Sequence, residues 1–265
     1  MVSYAVEADR LNNLLRLSTY PVAVKYLVKF DEESEWELVE AGFYKPGTPL
    51  NICQFVGLAR HHSRSVLATS DNLACKIGAL VEGFHPFDAE MSDGRIAIQD
   101  GARKDEVLCR EMFRTLPRIE AGSIKAIAFA PLGNMSLELD QVIFYGNPLE
   151  TLRIIQAYLW GNSARLEVST CGKYGVCAEG MAISYVTQKP SVGFPCRGER
   201  ASSIVQDDEL FLCLPGTFLG GVIEGLEKTR HLLPTPMPFN GVGQFPGFLP
   251  DYYLTALARS KRNGS

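Results

Sequence analysis

The sequence lacks long hydrophobic runs, long basic runs and an apolar amino terminus. The uncharged stretch at residues 210–223 is shorter than a membrane-spanning helix and is interrupted by Pro215 and by several glycines. Charged residues, Glu7 and Arg10 among them, stand near the amino terminus where a signal peptide needs an apolar segment. These absences predict a cytoplasmic chain with no membrane partner.

The charge of the chain does not favour nucleic-acid binding. Lys and Arg total 26 against 30 Asp and Glu, which gives a formal net charge of −4. A nucleic-acid-binding face concentrates basic residues, whereas the longest basic run here, residues 259–262, lies at the carboxyl end. We therefore expect no nucleic-acid partner.

The apolar residues alternate between strand-like and helix-like spacing. The composition, 46% hydrophobic and 21% charged, is that of a globular chain with a sizeable core. Apolar runs predict strands at residues 21–28, 65–69, 124–130, 141–145, 165–169 and 209–214. Helical spacing predicts helices at residues 5–17, 52–60, 102–117, 149–160 and 218–226. This pattern predicts an α/β or α+β fold.

Two parts of the chain match each other at one constant spacing. The matching pairs are Gln54 and Gln156, Val66 and Val168, Cys75 and Cys177, and Gly78 and Gly180. We interpret the match as a single globular unit, residues 1–265, built from two pseudo-equivalent strand–helix–strand halves. The halves are about residues 20–115 and 122–230, and residues 231–265 form a C-terminal covering segment. The alternative is a pair of ordinary strand–helix units without such a relation.

Cysteine is the most informative residue type for chemistry. The chain has seven cysteines, an odd number that favours thiols or ligands over disulfides in a reducing cytosol. Cys171, Cys177 and Cys196 lie close in sequence and are candidate metal ligands, and Cys75 joins them if the two halves face each other. Thiolates of this kind hold iron–sulfur clusters, zinc or haem iron. The spacing matches no standard zinc or ferredoxin signature, so a reactive thiol or simple packing stays open.

Two arginines flank a glycine in the segment that follows Phe194. Arg197 and Arg200 suit a carboxylate or phosphate, because guanidinium groups bind two oxygens and Gly198 lets the backbone approach. The alternative is a salt bridge within the chain, for instance to the acidic residues at 207–209.

Adjacent histidines follow the predicted helix at 52–60. His61 or His62 could be an axial ligand or a proton carrier in a ligand site. The alternative is a solvated helix end, where a charged histidine complements the helix dipole.

Several short motifs occur in an order typical of one family. They are Pro21-Val22-Ala23-Val24-Lys25, Cys53-Gln54 with Ala59-Arg60, Cys75-x-x-Gly78, Ala130-Pro131-Leu132, Asn147-Pro148, Cys177, Gly198-x-Arg200, Asp208-Glu209 and Leu214-Pro215. Together they resemble the domain of unknown function 169 family over roughly residues 15–230. The resemblance implies a prokaryotic cytosolic protein and no agreed activity. His61-His62, Cys171 and Cys196 depart from the family pattern.

These observations predict a small-molecule or cofactor-binding protein with its pocket between the two halves. Cys75, Cys177, Arg197 and Arg200 would lie at the rim, and the ligand would be anionic and partly flat. A tetrapyrrole or another redox cofactor, such as an iron–sulfur cluster, fits this description. The alternatives are an enzyme that uses a cysteine thiolate or a thiolate-bound iron centre, and a structural or assembly partner. A homo-oligomer is compatible with any of these.

Overall fold

Short apolar runs form the strands of one antiparallel sheet in the computed structural model, which describes residues 2–86, 93–162 and 165–231. The strands are β1 (Val22–Leu27), β2 (Val66–Thr69), β3 (Ala126–Pro131), β4 (Gln141–Gly146), β5 (Ser191–Gly193) and β6 (Leu210–Pro215). Their order across the sheet is β2-β3-β1-β4-β6-β5. Strands β3 and β4 are buried at every position, because helices cover both faces.

The order and register of the strands are symmetric about the central β1–β4 pair. Strand β3 lies between β1 and β2, and β6 lies between β4 and β5. Val22, the first residue of β1, lies opposite Pro131, the last residue of β3. In the other half of the sheet Gln141, the first residue of β4, lies opposite Pro215, the last residue of β6. The two inner pairings therefore have the same register.

The edge strands and the centre of the sheet follow the same symmetry. The first residue of β2 lies opposite Phe129, two positions before the end of β3. In the same way the first residue of β5 lies opposite Cys213, two positions before the end of β6. At the centre Ala23 lies opposite Val142, and each is the second residue of its strand. A two-fold axis through this central pair relates β1 to β4, β3 to β6 and β2 to β5.

Helices cover both faces of this sheet. They are α1 (Ala5–Leu15), α2 (Glu32–Glu40), α3 (Ile52–His62), α4 (Lys76–Val81), α5 (Arg95–Gln99), α6 (Glu106–Thr115), α7 (Pro148–Trp160), α8 (Ile183–Thr187), α9 (Arg197–Ser202) and α10 (Leu219–Thr229). A π-helical turn, Val176–Ala182, runs directly into α8. Helices α1, α7 and α10 pack on one face around Leu15 and Phe144. Helix α3 and the π-helical turn pack on the other face, around Phe55 and Met181.

Most predicted elements are confirmed, and the mixed α/β fold class is confirmed with them. The strand predicted at residues 165–169 is wrong: these residues form no strand, Val168 is 52% exposed, and β5 holds the edge beside β6. Helix α2 was missed in a polar run, where the Asp31 side chain accepts a 2.9 Å hydrogen bond from the Ser34 N–H and starts the helix. Residues 191–200, where no element is predicted, contain β5 and the start of α9.

The sheet also changes which residues correspond between the halves. The predicted match of Val66 with Val168 is wrong, because β2 corresponds to β5 and Val168 lies in no strand. Strand β3 lies between β1 and β2, so the first half of the sheet reaches residue 131. A relation between the halves beyond the sheet stays a prediction.

The described residues up to Arg230 form one compact unit. Apart from its first residue, the predicted covering segment at 231–265 lies outside the described residues. Within the described ranges no helix is both long and apolar enough to cross a membrane.

Candidate functional site

Four of the seven cysteines line one pocket on the sheet face that α3 and the π-helical turn cover. They are Cys53, Cys75, Cys177 and Cys196, and we call the cavity the four-cysteine pocket. Its volume is about 320 Å³. All four residues are half-buried. Residues far apart in the sequence thus bring four soft sulfur atoms to one place.

Helix starts position three of the four thiols. Cys53 lies in the first turn of α3, after a cap in which the Asn51 N–H donates to Oε1 of Gln54 at 2.9 Å. Cys75 is the N-cap of α4, and its Sγ accepts the Gly78 N–H at 3.4 Å. Cys196 is the N-cap of α9. Each sulfur is therefore held near backbone N–H donors of a helix start.

The π-helical turn positions the fourth thiol, Cys177. Its widened backbone leaves the carbonyl of Met181 to accept a 2.9 Å hydrogen bond from Nε2 of Gln141 on β4. Gly180 fits closely over β6, where an added Cβ would lie 2.7 Å from Sγ of Cys213 and 2.9 Å from Cε2 of Phe211. The turn is thus fixed against two strands, and Cys177 with it.

These cysteines form two pairs by their place in the chain relative to the edge strands. Cys75 follows β2 and caps α4, while Cys196 follows β5 and caps α9. Cys53 lies in α3 before β2, and Cys177 lies in the π-helical turn before β5. Cys75 and Cys196 thus hold similar places in the chain order, each between an edge strand and the helix that follows it. Each half of the sheet therefore contributes two thiols.

Burial is the main reason that these thiols hold their protons. Burial raises the pKa of Cys53 to about 12, and it raises the pKa of Cys177 and of Cys196 as well. Cys53, Cys177 and Cys196 are therefore protonated at neutral pH.

The walls of the pocket are apolar and its rim carries charge. Ile52, Ile77 and Val176 line the wall. Lys173 and Arg197 lie at the rim together with Asp100, to which Lys173 forms a 3.4 Å ion pair. Arg197 is exposed, so its guanidinium group is available to an anionic ligand at the rim.

A buried carboxylate supports the loop that carries Cys196. Glu199 is fully buried, and its Oε2 accepts the N–H of Val176 at 3.1 Å and that of Cys196 at 3.4 Å. Its other oxygen accepts a hydrogen bond from the Tyr145 hydroxyl. The Arg60 guanidinium lies 3.9 Å above the Tyr145 ring. Glu199 thus ties the backbone beside two of the pocket cysteines to the central strand β4.

Sequence reasoning did not identify Cys53, Glu199, Tyr145 or Arg60 as site residues. Glu199 lies between the two arginines that drew attention to its loop, which was the available signal. The contact between Tyr145 and Arg60 depends on how α3 packs on the sheet, which no local pattern specifies.

Three of the predicted ligand residues lie together and three do not. Cys75, Cys177 and Arg197 line the four-cysteine pocket. Arg200 does not line it: the guanidinium pairs with Asp207 at 3.0 Å, which is the salt bridge weighed as the alternative. His61 and His62 end α3 away from the pocket lining, and His62 is exposed.

The predicted metal ligands are only partly brought together. Cys177 and Cys196 line the pocket, whereas Cys171 does not, and its N–H donates to Oε1 of Glu179 at 3.1 Å. Among the residues that the structure describes, no three His, Cys, Asp or Glu side chains are placed to hold one metal ion. The structure therefore does not assemble Cys171, Cys177 and Cys196 as a site for one ion.

The fold and pocket define a mixed α/β protein with a two-fold symmetric antiparallel sheet and a thiol-lined cavity. The chain belongs to the domain of unknown function 169 family, described as uncharacterised ArCR, whose model matches residues 10–225. It is similar to an uncharacterized protein of the archaeon Methanocaldococcus jannaschii, with 28% identity over 226 residues, which cover 85% of this chain and 94% of the relative. No solved structure matches the chain.

Proposed function

We propose that this protein binds a small-molecule or cofactor ligand in the four-cysteine pocket, with the thiols in contact with a soft centre of the ligand. The observation that carries the proposal is the convergence of Cys53, Cys75, Cys177 and Cys196 on one cavity. Free cysteines are commonly buried as small apolar side chains. Four half-buried thiols around one cavity instead offer a set of sulfur ligands.

The charge and size of the pocket describe the ligand further. Lys173 and Arg197 at the rim suit an anionic ligand. The Tyr174 side chain lines the cavity and suits a partly flat one. A volume of about 320 Å³ lies near the lower end of the range for ligand pockets, roughly 300–1,000 Å³. The pocket therefore favours a compact redox cofactor over a large macrocycle such as a tetrapyrrole.

An enzyme that uses a cysteine thiolate is the second candidate. The N–H of Gly78 donates to Sγ of Cys75 at the start of α4, an arrangement that stabilises a thiolate. A nucleophile must be ionised at the working pH, whereas burial raises the pKa of Cys53, Cys177 and Cys196. Binding of a ligand that displaces the thiol protons is compatible with all four pocket cysteines, whereas the role of nucleophile suits Cys75 alone.

The state of the cysteines supports a cytoplasmic location. All seven are free thiols. Disulfides persist in oxidising compartments and are rare where glutathione and thioredoxin keep thiols reduced. Seven free thiols, several of them accessible, suit a protein that works in a reducing cytosol.

Native mass spectrometry and visible absorption of the full chain, purified without oxygen, test the binding function. We expect a mass excess or an absorption band in the wild type that is lost in the Cys53→Ser/Cys177→Ser double variant. The Cys171→Ser variant is the matched control, because Cys171 is half-buried but does not line the pocket. A colourless wild type with no bound mass and one rapidly alkylated cysteine would favour the thiolate enzyme instead.

A further inference from the structure

We infer that the ligand of the four-cysteine pocket is an iron–sulfur cluster held by Cys53, Cys75, Cys177 and Cys196. The inference rests on the proposed binding function and names its ligand. The number of pocket thiols is the first argument, since four cysteine thiolates are the usual ligand set of both [2Fe–2S] and [4Fe–4S] clusters.

The spread of the thiols favours a cluster over a single ion. A structural zinc ion needs its four ligands at about 2.0–2.3 Å from one point. Within the described part of the chain no three potential ligands converge in that way. A cluster divides its cysteines among several irons, so the sulfur atoms surround a volume instead of a point. Four thiols that line a cavity of about 320 Å³ match the second geometry.

The four cysteines come from both halves of the sheet. Cys75 and Cys196 each cap the helix that follows an edge strand, while Cys53 and Cys177 each lie in an element that precedes an edge strand. Four separate elements therefore supply the four thiols.

The surroundings of the sulfur atoms supply what such a cluster requires. Ile52, Ile77 and Val176 exclude water from the wall. The Gly78 N–H already points at Sγ of Cys75, and hydrogen bonds to sulfur are one of the means by which proteins set cluster potentials. A cluster with four thiolates carries net negative charge, which Lys173 and Arg197 at the rim offset.

Anaerobic reconstitution of the reduced full chain with ferric iron, sulfide and an excess of dithiothreitol, which reduces part of the iron, tests the inference. We expect a broad absorption shoulder near ~400 nm, with iron and acid-labile sulfide bound in equal amounts. The Cys75→Ser and Cys196→Ser variants should each bind at least tenfold less iron than the wild type, while Cys171→Ser should bind as much iron as the wild type. Serine is a preferred N-cap residue, so both N-cap variants should stay folded.

Alkylation of the wild type gives a second measurement that needs no variant. After reconstitution the four pocket cysteines should resist iodoacetamide, as read by peptide mass spectrometry, while Cys171 keeps its rate. Failure of the wild type to assemble a cluster would overturn the inference, as would full iron content in Cys75→Ser. If the purified protein then carries another ligand that the pocket variants lose, the binding function stands without the cluster. Absence of any pocket-dependent ligand removes both.

Discussion

Tyr26 donates a 2.8 Å hydrogen bond from its hydroxyl to Oε2 of Glu82, and both side chains are buried. Tyr26 holds the position in β1 that Tyr145 holds in β4, and Tyr145 makes the same kind of bond to Glu199. Each half of the sheet thus presents a buried tyrosine–glutamate pair. Burial raises the pKa of Glu82 to about 8, although the bond from Tyr26 opposes that rise.

The raised pKa of Glu82 predicts a pH-dependent stability. Between pH 4.5 and about 8 the folded chain keeps the Glu82 proton while the unfolded chain releases it. The free energy of unfolding should therefore fall as pH rises through this window, by up to about 1.4 kcal/mol per pH unit from this group. Urea unfolding across the window should show that slope in the wild type and its loss in Glu82→Gln. The exposed Glu40→Gln is the control, and equal slopes in all three proteins would contradict the prediction.

The ion pair between Arg60 and Glu209 is buried, with side-chain exposures of 1% and 6%. Replacing Glu209 by Gln leaves the buried Arg60 charge uncompensated, which should cost about 3–5 kcal/mol. The matched control is Asp207→Asn, which breaks the exposed pair with Arg200 and should cost less than about 1 kcal/mol. Chemical denaturation of the two variants measures the difference in their free energies of unfolding. Similar losses would show that the buried ion pair contributes no more to stability than the exposed one.

The close fit of Gly180 over β6 predicts a steric cost for any side chain there. In Gly180→Ala the new Cβ would meet Cys213 and Phe211 within 3 Å, so we expect a loss of about 1–3 kcal/mol. Gly221→Ala is the control, because it lies exposed in α10 with no atom within 4 Å and should gain up to about 1 kcal/mol. Thermal melts of both variants measure the sign of the change in stability. A Gly180→Ala variant as stable as the wild type would argue against the π-helical turn.

Core and pocket cysteines should respond differently to serine. Cys213 is fully buried among apolar side chains, so Cys213→Ser places a hydroxyl in the core and should cost about 1–3 kcal/mol. In Cys75→Ser the hydroxyl can accept the Gly78 N–H that Sγ now accepts, so the unfolding free energy should change little. Equal losses in the two variants, measured without ligand, would mean that Cys75 is a packing residue.

Local patterns predicted the elements that local interactions define. Helix α7 was predicted from the helical spacing of its apolar residues. Its start is local as well, because the Asn147 side chain accepts the N–H groups of Leu149 and Glu150. The alternation of Leu166 and Val168 has the period of a strand but finds no strand to pair with. Strand pairing is a property of the whole sheet, which is why that prediction failed.

The candidate site was predicted in part for the same reason. Cys75, Cys177 and Arg197 were chosen by residue type and do line the pocket. Cys53 was noted only as part of a motif, because its approach to Cys196 depends on how α3 and α9 pack on the sheet. The constant spacing that matched Cys75 with Cys177 also matched Val66 with Val168, whereas in the sheet the first residue of β2 corresponds to Ser191, the first residue of β5.

The symmetric register of the sheet has a consequence for how such a chain could arise. In the β1–β4 contact Val22 lies opposite Ile143 and Val24 opposite Gln141, a self-complementary arrangement of the kind found between identical subunits. A half-length chain that paired with a copy of itself through this strand would form a six-stranded sheet of the same order.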